Sequence, residues 1–478
     1  MEIREVDVAI IGAGTAGMTA YRAAREHTDN VVVIESAVYG TTCARVGCMP
    51  SKLLIAAAEV SHQIDHSAQF GIDVSHKSVD GRRVMDRVKS ERDRFVGFVE
   101  EAVEEWPEEH KIIGKATFAG TNELLVEDHT RVIAKRIVIA AGSRPAVPGP
   151  WYELGDRLLI NDDVFEWDEL PESVAVVGTG VIGLEISQAL SRLGVRTHLL
   201  GVGNQFGPIS DPAVNNAMKK VLASELTLSP DAMVEAVIRT EAGVEVSYRE
   251  NNQVHKASYD YLLAATGRRS NLDSLHIEKA GITLDEKGVP SFNDATGQIE
   301  NGPIFIAGDV SNAHPLLHEA ADDGKIAGDN AGRYPDVRTR PRRAPLSVVF
   351  TDPQIAMTGA TYKQLIESNI DFSVGENSFE DQGRSRVMAK NKGMVRLYGD
   401  KQTGRFLGAE MVGPAAEHIG HLLAWSVQHR LTVQQMLDSP FYHPVIEEGV
   451  RTALRNLARN LKMGPVPVER CLDCGPGA

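Results

Sequence analysis

The chain has 478 residues, of which 42% are apolar and 24% charged, with 43 glycines and 22 prolines. That is the composition of a folded protein of roughly three or four packed units, and it excludes a disordered or fibrous chain. With 50 basic and 65 acidic residues the net charge is −15, which argues against nonspecific nucleic-acid binding, and no apolar run reaches the roughly 18 residues of a membrane span.

The opening Met1-Glu2-Ile3-Arg4-Glu5 lacks the apolar core of a leader peptide and runs straight into a strand pattern, so a soluble cytoplasmic protein is expected. Val6 to Ile11 reads as a short buried strand. Gly12-Ala13-Gly14-Thr15-Ala16-Gly17 follows, then an alanine-rich helical run to about His27 and a second strand, Val31 to Ile34, ending in Glu35. This order of strand, glycine turn, helix, strand and acid is a dinucleotide-binding pattern. Glycines let the backbone approach a pyrophosphate, the helix start offers free N–H groups, and the acid takes ribose hydroxyls.

The cysteines come next. There are four, too few for a disulfide scaffold, and they fall in two close pairs: Cys43 and Cys48 near the start, Cys471 and Cys474 near the end. Such pairs in a reducing compartment suggest redox chemistry or metal binding before structural bridging. Residues five apart do not face each other on a regular helix, so a Cys43–Cys48 bridge needs a distorted first turn. A nearby cation would stabilise the reactive thiolate, and Arg45 and Lys52 are the candidates.

Lys77 to Glu105 reads as a long charged helix, followed by short strands around Lys111–Phe118 and Glu123–Val126. The nucleotide pattern then recurs. Val174 to Val177 is a strand, Gly178-Thr179-Gly180-Val181-Ile182-Gly183 a glycine turn, and a helix to about Leu193 leads to a strand from Val195 to Leu200. One such turn is weak evidence, but two copies between strand and helix are strong. Ile137 to Gly142, with Ser143-Arg144, is echoed by Tyr261 to Gly267, with Arg268: each is an apolar strand ending in a small-Gly-x-Arg or small-Gly-Arg turn. The segment from Pro345 to about Lys462 mixes strands and amphipathic helices without a glycine fingerprint and reads as a separate α+β unit.

Taken together, these motifs make the sequence resemble the pyridine nucleotide–disulfide oxidoreductases, and within them the dihydrolipoamide dehydrogenases, over nearly the whole chain. The resemblance is carried by the first glycine turn with Glu35, by Cys43 to Cys48 with Pro50-Ser51-Lys52, and by the second glycine turn with Glu185. It continues through Ala265-Thr266-Gly267-Arg268, Ile306-Ala307-Gly308-Asp309, Phe350-Thr351-Asp352-Pro353 and Tyr442-His443-Pro444. It implies an α/β fold with two Rossmann-like dinucleotide-binding domains and a C-terminal α+β dimerisation domain. The expected divisions are 1–150 (FAD, first part), 151–270 (NAD(P)), 271–345 (the return to the FAD or central domain), 346–470 (dimerisation) and 471–478 (a cysteine-containing tail).

The resemblance also implies roles. Gly12, Gly14, Gly17 and Glu35 hold the adenosine half of FAD, Asp309 after Gly308 binds its ribityl or phosphate region, and Gly142 and Gly267 close the two nucleotide units. Gly178, Gly180 and Gly183 cradle NAD, with NADP not excluded. Cys48 is the thiolate over the flavin and Cys43 the interchange thiol. Lys52 sits near the flavin and pairs with Glu185. His443 is the acid–base delivered across a homodimer interface; spacing alone leaves Glu447 and Glu448 open as its partner, and the resemblance chooses Glu448. The substrate is then a lipoyl-type or other small dithiol or disulfide, with neither nucleic acid nor membrane as partner and no metal.

The sequence departs from the pattern at three places. Counting from Gly178 the same 23 residues that separate Gly12 from Glu35 lands on Gly201, where NAD-preferring members carry an acid. Arg45 stands where dihydrolipoamide dehydrogenases commonly carry Asn. Cys471 and Cys474 are unusual for lipoamide enzymes and suggest, as an alternative, a reductase of another disulfide or of mercuric ion. A zinc site built from all four cysteines fits less well, because Pro50-Ser51-Lys52 and the flanking glycine turns belong to a flavin site.

Overall fold

Continuous β-branched runs such as Val31–Glu35 and Ser173–Val177 have no polar face to give to water, so they form central strands covered on both sides. In the computed structural model, which describes residues 1–462, each run sits inside a parallel sheet. Cys471 and Cys474 lie outside the described residues.

The first sheet has a parallel core in the order Lys111–Ile113, Val31–Glu35, Glu2–Ile11, Thr130–Ile139 and Ile304–Ile306, extended by the antiparallel Glu123–Val126 and Ala116–Gly120. The Thr15–Ala24 and Leu317–Arg333 helices pack together on it. Their contact is close because Gly324 and Gly328 lie against the backbones of Ala16 and Ala20, where a Cβ has no room. The second sheet is wholly parallel, in the order Thr227–Ser229, Arg196–Leu200, Ser173–Val177, Tyr261–Ala264 and Leu158–Leu159. An antiparallel meander of Met233–Arg239, Val244–Glu250 and Gln253–Tyr259 leads into its Tyr261–Ala264 strand.

The two echoing turns meet. Ser143–Pro145 and Arg268–Ser270 form a two-stranded antiparallel ribbon with Ser143 opposite Ser270, joining the two nucleotide-type units. The third region is a five-stranded antiparallel sheet, ordered Leu346–Val349, Gln354–Gly359, Phe406–Gly413, Met394–Asp400 and Phe372–Ser378. The Ala416–Gln428 and Glu448–Leu461 helices cover it through Ile419, Leu423, Ala453, Leu454 and Leu457. Mixed α/β units followed by an antiparallel α+β region is the expected fold class.

Two boundaries differ from expectation. The long charged helix spans Gly81–Glu104 rather than starting at Lys77, because the Asp80 carboxylate accepts the Arg83 N–H and caps it there. Pro444, whose fixed φ suits a first helical position, does not open a helix; the last helix begins at Glu448, whose carboxylate is occupied closing the turn before it by accepting the Val445 N–H at 3.2 Å.

Candidate active site

The distorted turn required by the cysteine spacing is present. Thr42–Val46 forms a single helical turn capped by Thr41 Oγ1, and the helix restarts at Cys48 and runs to Asp65. The break is at Gly47 (φ −126°, ψ −112°). It frees the Val46 carbonyl, which the buried Asn161 side chain satisfies at 2.9 Å. Both cysteines are unbridged thiols, Cys48 exposed and Cys43 half-buried.

The two thiols are unequal. Cys48 is held down to about 7, first by the adjacent Cys43 thiol donating toward it and then by the Lys52 ammonium, against the opposing effects of partial desolvation of its sulfur and of Glu185. Cys43 is pushed up by its interaction with Cys48 and by burial. At neutral pH the negative charge belongs to Cys48 and the proton to Cys43.

Lys52 lies one helical turn beyond Cys48. Its Nζ donates to Glu185 Oε2 at 2.7 Å and lies 4.7 Å from the centroid of the Phe350 ring. Glu185 is buried, and its other oxygen accepts the Phe350 N–H at 2.8 Å. Glu185, Gln188 and Arg192 occupy one stripe of the Val181–Arg192 helix: Gln188 takes the Asp352 N–H, and Arg192 bonds Glu225 and Asp352. Of this scaffold only Glu185 was legible in the sequence; the signal for the rest was Gln188 and Arg192 at helical spacing from it on the same helix.

Arg45 is not the thiol's cation. Its guanidinium pairs with Glu100 on the long charged helix and donates to the Tyr39 carbonyl at 2.7 Å. It is absent from the principal influences on either cysteine.

The two glycine turns share one geometry. A Cβ at Gly17 would run into the Gly12 carbonyl, and one at Gly183 into the Gly178 carbonyl, so each helix starts tight against its strand. Gly12 (φ +103°) and Gly178 (φ +121°) turn in the left-handed region. Gly14 and Gly180 face open space, which is the room a phosphate needs. Glu35 Oε2 accepts the Ala13 N–H at 2.7 Å, so the acid stands at the rim of the first turn. Three distant segments converge nearby. Asp309 Oδ2 accepts the Ser143 hydroxyl at 2.9 Å, Ser143 Oγ accepts Arg268 Nε at 2.8 Å, and the Gly308 N–H reaches Asp323 at 3.1 Å. Gly142 (φ +67°), Gly267 (φ +114°) and Gly308 (φ +79°) adopt left-handed turns that send the chain into these contacts.

His443 Nδ1 lies 3.0 and 3.1 Å from the two oxygens of Glu448. The carboxylate is buried while the imidazole is half-exposed, so the acid fixes a ring whose Nε2 edge is presented outward. Glu448, not Glu447, is therefore its partner. Among the described residues no hydrogen bond joins His443 to Cys43 or Cys48. A group with metal-ligand spacing, Glu26, His27 and Asp329, lies elsewhere, but Asp329 is already committed to Arg333 and Arg340.

Residues 6–324 match the family model for pyridine nucleotide–disulphide oxidoreductases, and residues 346–454 match that family's dimerisation domain. The chain belongs to the pyridine nucleotide–disulphide oxidoreductases. It is a flavin disulfide oxidoreductase of the family that uses FAD and NAD(P)H. It resembles the dihydrolipoyl dehydrogenase of Chlamydia trachomatis, with 30% identity over 473 residues, covering 96% of this chain and 98% of that one. The mycothione reductase of Mycobacterium tuberculosis is 29% identical over 462 residues, covering 94% and 99%. The HOCl-induced flavoprotein disulfide reductase RclA of Escherichia coli shares the fold, with a TM-score of 0.79 at 24% identity over 95% of this chain and all of that one. No described helix is long and apolar enough to cross a membrane.

Proposed function

We propose that this enzyme cycles the Cys43–Cys48 pair against a small lipoyl-type dithiol or disulfide, as a homodimer with shared active sites. In this reading residues 1–150 and 271–345 hold FAD, 151–270 hold NAD(P), and 346–470 pair the subunits. Gly12, Gly14, Gly17, Glu35 and Asp309 face FAD; Gly178, Gly180 and Gly183 face the nicotinamide dinucleotide. The flavin, when bound, supplies two-electron exchange between the nicotinamide and the cysteine pair.

The chain's own residues carry the thiol chemistry. In the reductive direction Cys43 loses its proton and attacks one substrate sulfur, forming a mixed disulfide and releasing the other sulfur, which takes up that proton. The Cys48 thiolate then attacks Cys43 Sγ, closing the Cys43–Cys48 bond and expelling the second substrate sulfur, protonated from solvent. The oxidative direction reverses these steps. Because Cys43 holds its proton, its attack needs a base. The partner subunit's His443, oriented by Glu448, fills that role.

The single observation that carries the reading is the unequal pair at the head of the Cys48–Asp65 helix, with Lys52 fixed by Glu185 beside it. Arg45 raises no objection to lipoamide, because its charge is spent on Glu100. The test is steady-state turnover with lipoamide and dihydrolipoamide, mycothione, glutathione disulfide and mercuric ion, each with both nicotinamide nucleotides. Lipoamide turnover at least about tenfold above the other acceptors is expected (a difference of about 1.4 kcal/mol). Preference for another disulfide or for mercuric ion would move the substrate and leave the thiol roles in place.

A further inference from the structure

The two glycine turns match in strand register but differ at the rim. In the first unit Ile11 is opposite Ile34, and the Gly12 N–H bonds the Ile34 carbonyl at 2.8 Å. In the second Val177 is opposite Leu200, and the Gly178 N–H bonds the Leu200 carbonyl at 2.8 Å. Position 201 therefore corresponds to Glu35, and Thr179 to Ala13. Where the first unit pairs a small turn residue with an acid, the second pairs a threonine with a glycine.

That exchange is sterically coupled. A Cβ at Gly201 would run into Thr179 Cγ2 and lie 2.8 Å from its Oγ1 and 3.2 Å from its Cβ. Rotating a β-branched side chain only exchanges one branch for the other, so Thr179 and a side chain at 201 exclude each other. Thr179 is buried, and among the described residues its hydroxyl makes no hydrogen bond. The following loop, Val202-Gly203-Asn204-Gln205, is uncharged. The charges bonded to it are one of each sign: Lys219 on Asn204 Oδ1 at 2.7 Å and Asp231 on the Gly203 N–H at 2.8 Å.

We propose that Thr179 is the group that meets the adenosine ribose in the second nucleotide site, replacing the strand-end carboxylate, so that this site takes NAD and NADP with similar affinity. The inference rests on reading the Gly178 turn as the nicotinamide dinucleotide site. A carboxylate at 201 would favour a ribose diol and repel a 2′-phosphate, and an arginine clamp would do the reverse; the rim has neither. A neutral hydroxyl can donate to a phosphate oxygen or accept from a ribose hydroxyl.

Calorimetric titration of the FAD-loaded enzyme with NAD⁺ and NADP⁺ tests this without turnover. The wild type should bind both, with dissociation constants within about tenfold of each other. Thr179→Ala should weaken both by about three- to tenfold, the range of one neutral hydrogen bond, and Thr179→Ser should bind as wild type. The double variant Thr179→Ala with Gly201→Glu rebuilds the Ala13–Glu35 arrangement and should prefer NAD⁺ by more than about tenfold. Wild-type discrimination above tenfold, unchanged binding in Thr179→Ala, or equal NAD⁺ preference from Gly201→Glu alone would each overturn the proposal. No binding of either nucleotide by the folded wild type would overturn the reading of the turn itself.

Discussion

One cation lies inside the cysteine segment and one just beyond it, and the fold uses them differently. Lys52 follows Cys48 on the same helix and reaches a carboxylate that is only 4% exposed; Arg45 sits between the two cysteines in sequence and reaches Glu100, whose side chain is 42% exposed. By sequence distance Arg45 is the nearer, yet Lys52 is the cation that bears on both thiols. The buried acid fixes where Lys52 points, while Glu100 on the charged helix takes up Arg45. Proximity in sequence nominates a charge, and the position of its counter-ion decides whether it tunes the site.

The largest expected effect lies outside this pair and tests the chemistry the cations serve. His443→Gln should lower kcat by about 10²- to 10⁴-fold, because Cys43 keeps its proton without the base. Heterodimers of His443→Gln and Cys43→Ser chains should regain part of the activity lost by each parent homodimer. A verified heterodimer without recovery would place base and thiol in the same chain.

Next comes the ionisation of Cys48, on which Cys43 and Lys52 both bear. The reduced enzyme should show thiolate absorbance near 240 nm with a midpoint at about 7, against an ordinary thiol value of 9. The shift is downward, so the thiolate prevails above that pH and is lost as pH falls through it. Lys52→Met should move the midpoint up by removing the attraction, and Cys43→Ser should alter it, since the neighbouring thiol is the largest cause. Glu185→Gln should move it down, because the carboxylate opposes the thiolate, while the amide oxygen can still accept the Phe350 N–H. Equal shifts of the same sign in Lys52→Met and Glu185→Gln would show that the pair acts through structure alone.

What the sequence disclosed follows from how local the information is. The glycine turns, Glu35 and the Cys43–Cys48 segment lie within continuous stretches whose spacing carries the chemistry, and the structure places each at the end of a strand or the head of a helix. Glu185 and Glu448 came only with the family pattern, since Glu185 lies 133 residues from Lys52 and nothing near His443 separates Glu447 from Glu448. The supports were hidden for the same reason. Asn161 meets the Val46 carbonyl from 115 residues away, and Phe350 meets Glu185 from 165. Nothing in the local sequence around Gly324 and Gly328 announces that Ala16 and Ala20 lie against them. The direction of Arg45 was hidden because it depends on Glu100, 55 residues on.

The smallest expected effect is therefore the sharpest check on the contrast between the cations. Arg45→Asn restores the residue common at this place in dihydrolipoamide dehydrogenases and removes a positive charge two residues from Cys43. If charge alone mattered, the 240 nm midpoint would rise. In the structure the guanidinium is neutralised by Glu100 at a partly exposed site, where an ion pair contributes about 0–1 kcal/mol to stability and transmits little to its surroundings. The midpoint should stay within about 0.3 units of wild type and turnover within about twofold, while Lys52→Met shifts both. Loss of the Tyr39 and Glu100 contacts should appear instead as a fall in melting temperature of a few degrees at most. A midpoint that follows Arg45 as strongly as Lys52 would mean that the cysteine segment reads its cations by sequence distance after all, and that the buried carboxylate is not what selects between them.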